Sequence, residues 1–127
     1  MTRKLTGFSQ LPSYTDGVAL LHEVYFTDDT YQRKYIKDDG VTIYFREKAI
    51  YNKTKIEFRQ IGVEVTSILM IPHMELKKST LHAVVLDNDI FEVQNHTSVV
   101  NINGFKELEL TLSQSNIVWE GELNDES

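Results

Sequence analysis

Four histidines, His22, His73, His82 and His96, are the side chains best suited to metal or proton chemistry, and their spacing supports neither. None stands four residues from another, as two ligands on one helical turn require, and no His-Glu-x-x-His occurs. Scattered surface or partly buried imidazoles are the favoured reading. Asp87, Asp89 and Glu92 share part of a calcium loop's composition, but that pattern's Gly and closing Glu are missing, so they read as a polar hairpin turn. Cysteine is absent, which removes thiolate nucleophiles, thiolate metal sites and disulfides and fits a reducing compartment. Without Gly-x-Ser-x-Gly, Gly-x-Gly-x-x-Gly or a Walker-type loop, a Ser or Thr nucleophile or a phosphate cradle has no sequence context. No catalytic, metal or cofactor site is expected, and the chain reads as a non-enzyme. Asn52-Lys53-Thr54 and Asn95-His96-Thr97 match the glycosylation sequon but follow no secretion signal.

Aromatic side chains offer a second kind of chemistry. Tyr25, Phe26, Tyr31, Tyr35, Tyr44, Phe45 and Tyr51 could stack bases of a single strand on a small barrel. Lys and Arg interleave with them only over 33–37, and the 127 residues carry 13 basic against 19 acidic side chains, a formal charge of −6. Affinity for phosphates comes from Lys and Arg, so this balance favours ordinary core and interface aromatics.

These residues must be positioned by β-structure. Leu108, Leu110 and Leu112 alternate with Glu107, Glu109 and Thr111, a strand with one buried and one wet face. Residues 81–86 and 90–93 are β-rich runs flanking Asp87-Asn88-Asp89, a hairpin signal, and 95–103 reads as an exposed polar loop. Val41, Ile43 and Phe45 alternate with polar residues in one strand; Ile56 and Phe58 do so in a second that Gly62 interrupts as a bulge or close approach. Residues 63–71 form another strand ended by Pro72, and 117–119 a last edge strand or a segment packed onto the barrel mouth. Val18, Leu21 and Tyr25 share one helical face, so 18–26 is expected to be a short helix. Residues 28–39, closed by Asp39-Gly40, read as an exposed loop or a short helical turn, and 73–79 as a polar connection. Residues 1–13, with Leu5, Phe8 and Leu11 spaced for one helical turn, lie along a neighbouring surface or stay mobile, as does the acidic stretch 121–127. The longest apolar run, 68–71, is far short of a membrane span. A soluble single domain over 1–127 follows: mainly β, a small β-barrel with long loops and at most one or two short helices. Its core is expected to hold Val41, Ile43, Phe45, Ile56, Phe58, Val85, Phe91, Val93, Leu108 and Leu110.

The carboxy-terminal half resembles the head-closure or stopper proteins of long-tailed bacteriophage head-to-tail connectors, a group that includes minor capsid proteins. Asp89-Ile90-Phe91-Glu92-Val93 fills the slot of a Gly-aromatic-x-Val strand. A variable loop and Glu107-Leu108-Glu109-Leu110 follow, similar to a closing Glu-Leu-x-Leu, and Ile71-Pro72 ends a strand as in the family. Asn88 stands where the family usually has Gly, which keeps open another β-rich neck component such as a tail-completion or tail-terminator protein. The resemblance implies a virion neck component assembled in the bacterial cytoplasm. Its subunits would form a homo-oligomeric ring beneath portal and adaptor, retain packaged double-stranded DNA, dock the tail and touch no membrane. An acidic lumen would repel the DNA backbone. A ring needs two nonidentical patches per subunit. Tyr31, Arg33, Lys34 and Tyr35, with His73, Glu75, Lys77, Lys78 and His96, are the candidates for interface or channel-facing contacts, His96 through a 95–103 segment packed toward an adjacent ring.

Overall fold

The computed structural model describes residues 13–50 and 52–126; the aromatic Tyr51 and the expected turn at Leu5, Phe8 and Leu11 lie outside them. Six strands close into an antiparallel barrel in the cyclic order β1-β4-β5-β8-β7-β6. They are β1 (Gly17–Glu23), β4 (Val41–Lys48), β5 (Val65–Pro72), β6 (His82–Leu86), β7 (Asp89–Val100) and β8 (Lys106–Gln114). Because every neighbouring pair is antiparallel, the ends of β1, β5 and β7 share one rim with the starts of β4, β6 and β8. The connections 24–40, 73–81 and 101–105 all leave from that rim.

Inward-facing Ala19, Leu21, Ile43, Phe45, Leu69, Ile71, Val84, Val93, Leu108, Leu110 and Leu112 fill the barrel, with Phe91 and Leu86 packed against them. Outside it, β2 (Tyr25–Phe26), β3 (Lys34–Ile36) and β9 (Val118–Trp119) form a three-stranded sheet. Val24, Ile36 and Ile117 pack there on Ala83, with Val85, Ile90 and Trp119 around them. β6 is therefore buried on both faces, Val84 to the lumen and Ala83 and Val85 to the second core.

The segment expected to be a helix, 18–26, is instead β1 and β2. Pairing of β1 with both β4 and β6 overrides its helical spacing, and burial of His22 behind the sheet blurs the alternation that would have shown a strand. The run with Ile56 and Phe58 makes the opposite error: it is a helix, α1 (Asn52–Arg59). Lys55, Glu57 and Arg59 are good helix formers, and two apolar residues cannot seat a strand in a core. Ile56 is exposed and Phe58 half-buried. Gly62 is neither bulge nor close approach but the left-handed residue after α1, at φ 81°. Gly62 and Val63 N–H donate to Arg59 and Phe58 C=O in a Schellman pattern.

Val41, expected in the core, sits exposed at the start of β4. β7 continues through most of the expected 95–103 loop; a register shift between Val93 and Asn95 hides its alternation. Glu107 and Thr111, expected on a wet face, are buried. Residues Glu120–Glu126 form a 3-10 helix rather than an extended tail. Among the described residues, no helix is long and apolar enough to cross a membrane.

Candidate functional site

The rim collects most of the uncommitted chemistry. The end of β1 brings His22 and Glu23, the segment before β4 brings Asp39, and the connection after β5 brings Met74, Glu75, Leu76 and Lys77. With Leu21, Val41 and His82 they enclose a recess of about 300 Å³. Its floor is apolar and its rim holds three carboxylates against one ammonium, with Lys77 Nζ 3.9 Å from Glu23.

His22 is 2% exposed, and neither of its ring nitrogens has a hydrogen-bond partner among the described residues. Asp39 Oδ1 lies 3.7 Å from Nδ1, too far for a hydrogen bond. Trp119 meets the ring edge-on at 5.4 Å, and a Cβ on Gly40 would come within 2.5 Å of Nε2, so this glycine lets the backbone lie against the imidazole. His82 is also buried, with Nδ1 unpartnered. Burial, and then the neighbouring charge of His96, hold His82 below the usual imidazole range. His96 lies on β7, its ring 6.0 Å from that of His82.

Opposite this recess, the turn from β7 to β8 is held rigidly. Asn101 Oδ1 accepts from the backbone N–H of Asn103 and Phe105, Asn101 N–H donates to Phe105 C=O, and Gly104 takes φ 87°. The turn lifts Ile102 to 98% exposure beside the exposed Val100 and Phe105. Beneath it, Glu107 is 1% exposed and accepts from Arg46 Nη1 and Nη2 at 3.1 and 3.3 Å and from Tyr14 Oη at 2.9 Å. Burial pushes the Glu107 carboxyl up, but these hydrogen bonds, the Arg46 charge and a side-chain bond from Asn101 outweigh it and hold the group below its ordinary value. Tyr14 is pushed up to about 12 by burial and then by its bond to Glu107.

The residues expected to form contacts are dispersed. Tyr31 alone of its group is fully displayed, 85% exposed on a turn closed by Thr27, Asp29 and Arg33 and lying beside Asn116 and Val118, away from the recess. Lys34 is committed to Glu92 at 3.1 Å, and Tyr35 packs at 5.8 Å on Tyr25 within the outer sheet, so 28–39 is not a free loop. Glu75 and Lys77 reach the recess; His73 sits 3.5 Å from Glu75, and Lys78 is exposed beside them. Sequence reasoning passed over His22, Glu23, Asp39 and Ile102 as contact residues. The first two are neighbours at the end of β1, and Asp39 joins them only through the pairing of β1 with β4, whereas Asn103-Gly104 directly after the isolated Ile102 was a readable sign of a turn that displays it. Among the described residues, no three His, Asp or Glu side chains are grouped to hold a metal ion. No family model matches the chain, and neither the curated proteins nor the solved structures give a significant match.

Proposed function

We propose that this chain is a structural subunit of the neck of a long-tailed bacteriophage, a head-closure protein. It would assemble in a ring below the portal and adaptor, keep packaged DNA in the head and offer a surface to the tail. The observation that carries this reading is the rigid β7–β8 turn, which displays Val100, Ile102 and Phe105 to solvent outside a barrel whose own core is full. Apolar side chains grouped on a braced turn mark a contact with another protein. Tyr31, on its own braced turn elsewhere on the surface, supplies a second point of contact, and a ring subunit needs distinct surfaces. The formal charge of −6 suits a channel through which DNA passes without adhering.

A barrel that binds single-stranded nucleic acid is the competing reading. One local feature favours it: Tyr25, Tyr35 and Lys37 cluster, with Lys37 Nζ 4.5 Å above the Tyr25 ring. That ammonium covers the ring face a base would need, which weakens the reading. A low-salt gel shift separates the two, since micromolar binding of short oligonucleotides lost steeply with salt would favour the nucleic-acid barrel.

Inactivating the coding sequence in its phage tests the neck role. The expected result is DNA-filled heads that lose their DNA and carry no tails. Normal yields of intact tailed particles would overturn the proposal.

A further inference from the structure

β1 and β8 stand three steps apart whichever way the six-strand cycle is followed, so they face each other across the barrel. The acid-rimmed recess is built around the end of β1, and the apolar turn leads into β8 at the same rim. One subunit thus carries a projection and, across the barrel at the same rim, a recess. This is the arrangement a head-to-tail contact needs in order to propagate around a ring.

We propose that the β7–β8 turn of one copy of this chain inserts into the recess of the next. Ile102, flanked by Val100 and Phe105, meets the floor formed by Leu21, Val41, Met74 and Leu76. Lys106, exposed at the base of the turn, faces Glu23, Asp39 and Glu75. The occupant is identified by this match in polarity and charge. Two features indicate that the recess is incomplete in the isolated chain. Val41 leaves an apolar side chain exposed in its lining, and its three carboxylates face a single ammonium. On the other side, the Asn101 bonds fix the turn before contact, so little conformational freedom is lost on docking. This contact rests on the assembly reading above and specifies its surfaces.

Sedimentation velocity of the purified full chain over micromolar to millimolar concentration provides the test. The wild type is expected to self-associate, Ile102→Asp to weaken association at least ~10-fold, the effect of losing one central apolar anchor, and Lys106→Glu to weaken it less. Glu75→Lys combined with Lys106→Glu should restore association. Mixing Ile102→Asp with a recess variant, Val41→Asp, should give dimers that grow no further, because each pair retains one intact contact. Ile102 and Val41 are exposed, so both variants are expected to fold, and an unfolding curve of each checks it. A wild type that stays monomeric throughout this range overturns self-assembly and this contact together. A wild type that assembles while Ile102→Asp and Val41→Asp assemble equally well overturns the contact alone.

Discussion

Glu107 does at the residue scale what a leucine could not: it fastens a surface turn to the barrel wall. Its carboxylate collects Arg46, Tyr14 and the side chain of Asn101, the same Asn101 that shapes the turn carrying Ile102. Removing the charge leaves Arg46 unpaired, but Arg46 is 38% exposed and water recovers part of the loss. Glu107→Gln is therefore expected to cost about 2 kcal/mol in urea unfolding at pH 7. The folded carboxyl ionises below its ordinary value. Its contribution is accordingly full above the ordinary carboxylate range and fades as pH falls through the lowered folded value. The gap between wild type and Glu107→Gln should close with it, and a gap unchanged down to the acid limit of folding would contradict this account of the residue.

Among the elements, the β6–β7 hairpin shows what was legible and why. Asp87-Asn88 between β-rich runs announced a tight turn, and both residues adopt left-handed backbone, φ 52° and 70°, the primed conformation that matches strand twist. Asn88→Val should lose about 1–2 kcal/mol, whereas Asn88→Gly should be at least as stable as wild type; thermal unfolding of the two variants gives the comparison. The start of β8 was readable as a strand from its alternation, although the face expected to be wet is buried at Glu107 and Thr111. Elements buried on both faces or broken by a register shift, β1 and β7, lost their period and were misread. α1 was misassigned because Ile56 and Phe58 alternate by chance with residues that prefer helix. The recess was hidden for a different reason: His22, Asp39, Glu75 and His82 are drawn from four separate segments, and the pairing of β1 with both β4 and β6, distant in sequence, makes three of them neighbours.

For the whole molecule, the six barrel strands have no free edge, and three of their connections leave from one rim. The three that leave one rim include both the braced apolar turn and the walls of the recess, while Tyr31 looks elsewhere. If the chain assembles as proposed, such a subunit would touch neighbours on two flanks and still have Tyr31 on a further surface. The resemblance in the carboxy-terminal half covers β7, the turn and the start of β8, so the segment that suggested a head-closure role is also the one that displays Ile102. The most direct measurement adds the purified chain to DNA-filled phage heads assembled without it, then counts particles that retain DNA and accept tails. The head-closure account predicts that the wild type restores both, and that Ile102→Asp restores neither. Heads that hold their DNA and join tails equally well with and without the chain would contradict it.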